Sequence, residues 1–381
     1  MHDGSAGREA TDERLTAGWC AAPSFVFHRV RPGHLEGMEY RLLGNSGCAV
    51  SRLALGTMTF GAETTTETAH TQLDTFVEHG GNLIDTADVY GAGASEQIIG
   101  QWLAERPRST RDSVVLATKG RFPMGDAPND AGLSRRHLQR ALDDSLGRLG
   151  VDCVDLYQVH SWDPLTPIAE TLRVLDDFIR SGKIRYFGLS NFTGWQIQKT
   201  VAIATALGLP APVTLQPQYN LLVRELEWEI LPSSVDAGLG LLPWSPLGGG
   251  WLTGKYQRDS RPTGATRLGE DPDRGMEAYD RRAGSDRTWH IVDTLSAIAT
   301  GRGISSAQVA LAWLADRPAV TSVILGARSV EQLVDNLGMA DMHLSSDELA
   351  RLDSVSAPVT ADYPYGAPGL EQRSRQIAGG R

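Results

Sequence analysis

The stretch "SRRHLQRALDDSLGRLGVDCVDLYQVH", residues 134–160, has two halves of different period. In the first, Leu138, Leu142, Leu146 and Leu149 recur at spacings of four, four and three, behind Ser134 as an N-cap and ahead of Gly150 as a stop. That is a helix with one buried stripe. In the second, "VDLYQVH" (154–160) is a short, nearly continuous apolar run, as expected of a strand covered on both faces. A helix feeding such a strand belongs to a repeated βα design, in which parallel strands are joined by right-handed crossovers.

The design extends in both directions. Strand-like runs stand at "LALG" (53–56), "NLIDTA" (82–87), "VVLATK" (114–119), "RYFGLS" (185–190), "VTLQP" (213–217), "GLLPWS" (240–245) and "TSVILGA" (321–327), eight with the first. Amphipathic intervals separate them, as in "TPIAETLRVLDDFIRSGK", with Thr166 as its cap and Pro167 at the first helical position. Eight such units close naturally into a (β/α)8 TIM barrel. Ahead of them "MEYRLLGNSGCAVSRLALG" reads as two short strands around Asn45, Ser46 and Gly47, a hairpin at the barrel bottom. The expected organisation is an N-terminal extension with little structure (1–37), one barrel domain (38–356) and a C-terminal tail (357–381).

Composition narrows the function. Of 381 residues, 36 are Lys or Arg and 46 are Asp or Glu, and the net charge of −10 opposes nucleic acid and anionic membranes as partners. Cys20, Cys48 and Cys153 are scattered and odd in number, which points to neither a disulfide framework nor a zinc site. No leader and no membrane-length apolar run is evident, so a cytoplasmic location is expected. The composition says nothing about oligomeric state.

In a TIM barrel the chemistry lies at the C-terminal ends of the strands. Four polar residues gather there: Asp85, Tyr90 five positions later, Lys119 closing "VVLATK" and His160 closing "VDLYQVH". Singly, each has an ordinary explanation: a helix cap for Asp85, a snorkelling ammonium for Lys119, a satisfied core imidazole for His160. Jointly they suit the protonation of a carbonyl oxygen. An ammonium held by a carboxylate favours the phenolate and lowers the pKa of a tyrosine, while a neutral histidine orients the carbonyl by donating a hydrogen bond. No metal is needed.

One stretch invites a different reading. "GGGWLTGKY" (248–256) contains G-x-x-x-x-G-K, one letter short of an ATP-binding P-loop, but Tyr256 stands where a magnesium-holding hydroxyl is required. The sequence beyond it, "QRDSRPTGATRLGEDPDRG", is too rich in Gly, Pro and Asp for the helix a P-loop needs. It opens the one oversized connection, from Pro246 to about Arg287, and loops of that size are usually functional.

The segments "GGNLIDTADVYGAGASEQIIG", "VVLATKG", "VDLYQVHSWDP", "GKIRYFGLSNF", "LQPQYNLL", "PWSPLGGGWLTGKY" and "VILGARSVEQLVDN" occur in this order between Met38 and about Ser356. In that combination the chain resembles the aldo-keto reductases. Trp244 and the Q-P-Q-Y-N segment resemble the subgroup that includes potassium-channel β subunits and many bacterial reductases. The resemblance implies NADPH-dependent reduction of a small aldehyde or ketone, with Asp85, Tyr90, Lys119 and His160 as the catalytic tetrad and Tyr90 as general acid. It also implies that NADPH/NADP+ is bound at the rim by Gly56, Thr57, Met58, Ser190, Asn191, Gln216 and a stacking Trp244. The pyrophosphate loop would comprise Ser245, Pro246, Leu247, Gly249 and Lys255, with Arg267 and Arg328 on the adenosine 2′-phosphate. Gly326 would open the phosphate pocket, and Gln332 and Asn336 would share a helical face with Arg328 toward the adenine. Met58, Phe60, Phe122, Trp162 and Tyr219 are candidate substrate-pocket residues. Two alternatives accompany this reading: a slow NADPH-binding redox-sensing subunit, and a nucleotide-sugar keto reductase.

Overall fold

The computed structural model describes residues 37–374 except 265 and 274; the expected extension before Gly37 lies outside the described residues. An antiparallel hairpin, β1 (Tyr40–Leu42) with β2 (Ala49–Ser51), opens the chain. The eight runs read from the sequence then appear as β3 (Leu53–Gly56), β4 (Leu83–Asp85), β5 (Val115–Gly120), β6 (Val154–Val159), β7 (Ile184–Ser190), β8 (Thr214–Gln216), β9 (Gly240–Leu241) and β10 (Val323–Leu325). All neighbours are parallel in the order β10-β3-β4-β5-β6-β7-β8-β9. The seam between β9 and β10 is closed by Thr321 N–H on Leu241 O (2.9 Å) and Ile324 N–H on Pro243 O (3.0 Å). This is the (β/α)8 barrel with its N-terminal hairpin.

The hairpin fills the bottom of the lumen. Leu43 and Val50 form one buried cluster with Ala54, Leu83, Ala117, Leu156, Leu242 and Ile324, the inward residues of six barrel segments. The approach is close: at Gly44, with φ of 55°, a Cβ would lie 1.8 Å from the Val213 carbonyl oxygen, which only glycine tolerates. Residues of the opposite parity, such as Leu55, Ile84, Leu116, Tyr157 and Val159, face outward and pack with the helices, including Leu138, Leu142 and Leu149.

The helix Arg135–Leu149 is capped as the sequence predicts: Ser134 Oγ accepts the His137 N–H at 3.3 Å, and Gly150 ends it at φ 66°. The next helix differs by one residue. Thr166 donates its hydroxyl to Asp163 Oδ2 at 2.6 Å, so Pro167 becomes the cap and the helix starts at Ile168. The oversized connection after β9 is ordered by aromatic packing, Trp251 stacking on Tyr279 at 5.4 Å and meeting Trp289 edge-on at 5.6 Å. Beyond the barrel, Tyr365 stacks on Trp228 at 5.4 Å before a last helix, Ala367–Arg373. Among the described residues no helix is long and apolar enough to cross a membrane.

Candidate active site

Strand alternation builds the site directly on the plug. Leu83, Ala117 and Leu156 point into the lumen at its bottom; two residues further along the same strands, on the same face, come Asp85, Lys119 and Gln158. Register sets them side by side, with Asp85 opposite Ala117 and Lys119 opposite Gln158. The Lys119 ammonium donates to Asp85 Oδ2 (2.7 Å), to Thr86 O (2.7 Å) and to the Tyr90 hydroxyl (3.2 Å). The other Asp85 oxygen accepts from Gln216 Nε2 (2.8 Å) and Gln158 Nε2 (3.2 Å). The ion pair is almost entirely out of water, yet every proton of the ammonium and both carboxylate oxygens have partners, the condition for keeping buried charges.

Tyr90 reaches the site from a loop rather than a strand. Gly91, Ala92 and Gly93 take φ values of 56°, 53° and 96°, a run of left-handed residues that turns the chain sharply before the helix Ala94–Glu105. Ala92 pays steric strain there. The turn lays the Tyr90 ring 4.7 Å below the Lys119 ammonium and 6.0 Å from the His160 ring.

Burial of the Lys119 ammonium favours its neutral form, but Asp85 and Tyr90 outweigh it and hold the pKa above the ordinary lysine value. For Tyr90 the sequence-based expectation of a lowered pKa is corrected. Burial pushes the phenol up, the Lys119 charge pulls it down, and burial prevails. Tyr90 therefore carries its proton at neutral pH. Burial, then Lys119 and Arg121, depress His160 to about 2, so the imidazole is neutral; its Nδ1 is buried without a partner.

The other rim residues divide. Ser190 donates to Gln216 O (2.9 Å), while Asn191, at φ 56°, donates to His160 O (3.0 Å) and accepts the Trp244 indole N–H (3.1 Å). These ties link β6, β7 and the end of β9 beside the lysine. Thr57 is fully buried, its hydroxyl on Asp85 O at 3.0 Å, whereas Met58 is exposed. Phe122 meets His160 edge-on at 4.6 Å and Trp162 lies at the same rim, against Phe192 and Trp195. Phe60 and Tyr219 do not line a pocket: both are fully buried, and the Tyr219 hydroxyl donates to Glu227 at 2.7 Å with its ring against Trp313. Their short distance from strand ends concealed that they face the packed interior.

The glycine loop takes a conformation suited to anions. Gly248, Gly249 and Gly250 have φ of 56°, 65° and 98°, and a Cβ on Gly250 would fall 2.7 Å from Lys255 Nζ. Successive left-handed residues turn backbone N–H groups into a concavity, and here an ammonium stands beside it. Burial, then Arg328 and Arg267, lower the Lys255 pKa, so three cations converge. Arg328, however, is not offered freely. Its guanidinium is bound by Glu63 and, at 2.7 Å, by Glu270. Arg328 also precedes the helix Val330–Leu337, and Gln332 Oε1 folds back onto the Arg328 N–H at 3.0 Å, so the expected shared helical face is not formed. Asn336 is buried, and Gly326 has open space around it.

Sequence reading missed four residues that the structure brings to the site. Gln158 was legible in principle, two positions before His160 on one strand. Asp88 is fully buried, and burial, then Glu96, raise its pKa to about 7 against the Val89 backbone N–H, which lowers it. Trp195 stands 59% exposed at 5.3 Å from Trp162. Arg121 follows Lys119 by two residues and lies over the Phe122 ring at 5.1 Å.

The site is a closed barrel whose rim buries a lysine and a protonated tyrosine beside a neutral histidine. Residues 52–357 match the Aldo/keto reductase family, and the chain belongs to it. It is 38% identical over 84% of its length to YrpG of Bacillus subtilis (strain 168), described as an uncharacterised oxidoreductase, covering 96% of that protein. It is 39% identical to a probable voltage-gated potassium channel subunit beta of Oryza sativa subsp. japonica, over 80% of this chain and 92% of the other. A third relative is the versiconal hemiacetal acetate reductase of Aspergillus parasiticus, at 34% identity over 84% of this chain and 98% of the other.

Proposed function

We propose that the protein reduces an aldehyde or ketone to the alcohol with NADPH, Tyr90 giving the proton to the carbonyl oxygen. The observation that carries this reading is the Lys119 ammonium, bonded at once to Asp85, Thr86 O and the Tyr90 hydroxyl. Tyr90 is protonated at neutral pH, and the adjacent positive charge stabilises the phenolate left when the proton departs. His160, neutral and with Phe122 against its ring, orients the carbonyl oxygen toward that phenol. Asp85 keeps the ammonium in place and, through Gln158 and Gln216, is itself kept from turning.

The residues at the opposite rim fit a dinucleotide phosphate. The left-handed φ at Gly249 and Gly250 suits only glycine, and the Lys255 ammonium, with Arg267 and the paired Arg328 acting on it, supplies positive charge beside that turn. NADPH, when bound, supplies the hydride. The relative named as a reductase supports the direction of reaction. The test is a panel of aryl aldehydes, keto sugars and cyclic ketones followed by loss of NADPH absorbance, wild type against Tyr90→Phe. Turnover by the wild type that the variant loses is expected; equal turnover would overturn the assignment of the proton donor.

The relative named as a potassium channel subunit favours a second reading, in which a slow NADPH-binding subunit reports redox state. Tight NADPH binding with no turnover across the panel would support it.

A further inference from the structure

The guanidinium of Arg121, at the rim, has no carboxylate partner among the described residues. It lies 5.1 Å over the Phe122 ring, whose other neighbour is His160 at 4.6 Å. Its one hydrogen bond is a long one, from Nη2 to the Trp162 carbonyl at 3.4 Å, and its Nε is buried with no partner. Among the described residues no carboxylate comes within ion-pair distance of it. Asp163, whose pKa Arg121 helps to lower, already accepts from Leu133 N–H (2.9 Å), Leu165 N–H (2.9 Å) and Thr166 Oγ (2.6 Å). Arg121 also has φ of 154°, a backbone state that L-residues seldom hold and that clusters at ligand clamps. An arginine kept half-buried and nearly unpaired is costly unless an anion completes it.

The anion is not that of the cofactor phosphates. In the closed sheet order, β5 and β6, which carry Arg121 and His160, lie across the barrel from β9 and β10, which carry the glycine loop and Arg328. Arg121 stands against the Phe122 ring and the Trp162 carbonyl, and the Trp162 indole in turn packs on the exposed Trp195, with the Lys199 ammonium 5.8 Å from both indoles. We infer that Arg121 is a specificity-determining residue that binds a carboxylate carried by the substrate, so that the substrate class is an aromatic or otherwise planar aldehyde or ketone bearing a carboxylate. A planar guanidinium matches a carboxylate better than a point charge does, and the flat rings take the substrate body. This inference rests on the reductase reading above.

The test compares benzaldehyde with 2-, 3- and 4-carboxybenzaldehyde, using full-length protein and NADPH. The wild type is expected to favour the best carboxylated isomer in kcat/KM by about tenfold or more, as a charged hydrogen bond allows. Arg121→Gln should collapse that ratio through KM, and Arg121→Lys should restore part of it. A wild type that prefers benzaldehyde, or a ratio unchanged in Arg121→Gln, overturns the inference. Benzoate titration by quenching of tryptophan fluorescence separates this from failure of the reductase reading. If no aldehyde is turned over, benzoate quenching that Arg121→Gln loses upholds the anion site, and quenching equal in both proteins, or absent from both, sinks it.

Discussion

Asp85 and Lys119 meet at 2.7 Å with both side chains nearly excluded from water, and each is held by further bonds that forbid separation. The carboxylate accepts from two glutamine amides and the ammonium donates to a backbone carbonyl and a phenol. The pair is therefore fixed in one arrangement before any ligand arrives, which is what electrostatic preorganisation requires.

Removal of either end of the relay should abolish the chemistry and spare cofactor binding. Tyr90→Phe leaves the ring packed and should lower kcat by ~10²- to 10⁴-fold, the usual worth of general acid catalysis. Lys119→Met should do nearly as much, and it should also destabilise the fold by ~3–5 kcal/mol because Asp85 is left charged and unpaired. Stopped-flow turnover, NADPH titration by tryptophan quenching and urea midpoints separate the three effects. A Tyr90→Phe enzyme within about threefold of wild type, under ~1 kcal/mol in barrier, would remove Tyr90 from its role.

Asp88 makes stability depend on pH below neutrality. Its folded pKa of about 7 exceeds the ordinary carboxylate value, so the folded state holds a proton that the unfolded chain has released. Its contribution is fully present below about pH 4 and is lost as pH rises to about 7, a change of roughly 4 kcal/mol. Asp88→Asn cannot ionise. The stability of wild type minus that of the variant should fall across this window and level off above it; parallel pH curves would show that Asp88 is ionised in the folded protein.

Glu63 and Glu270 occupy the guanidinium that a 2′-phosphate would need. Glu270→Gln should tighten NADPH severalfold and hardly affect NADH, since a partly exposed ion pair is worth only ~0–1 kcal/mol. Arg328→Ala should weaken NADPH by roughly tenfold or more, the worth of a charge-assisted contact, with NADH little changed. Calorimetric titration with both cofactors reads this directly, and equal weakening would place Arg328 away from the phosphate.

A chain beginning at Met38 retains the hairpin, the plug and the rim. Met38 itself is buried in the outer core, so the cut cannot move further along without loss. The shortened protein should melt within about 1 °C of the full chain, less than the ~1.4 °C that a 1 kcal/mol change would produce at this size. A larger drop would assign the first 37 residues a packing role.

Local chemistry and periodicity were enough for the barrel and for much of the site. Eight apolar runs at βα spacing marked the strands, and turn residues marked the hairpin, because both signals are written within a few neighbouring positions. The gathering of Asp85, Lys119 and His160 at one rim was legible for the same reason: they stand at or just beyond the C-terminal ends of their strands, where barrel sites lie. Whatever depends on the far side of a residue was not legible. Phe60 and Tyr219 sit near strand ends as Phe122 does, and only packing turns them inward. Arg328 reads as a cation for phosphate, but Glu63 and Glu270, 265 and 58 positions away, meet it only in the folded chain. Tyr90 likewise reads as a phenol acidified by lysine, whereas its net pKa is set by burial, a property of everything that surrounds it. Sequence pattern determined which residues share a face and a rim; the tertiary structure decided which of them face water, which face one another and which charges remain unspent, because burial and pairing are sums over neighbours distant in the chain.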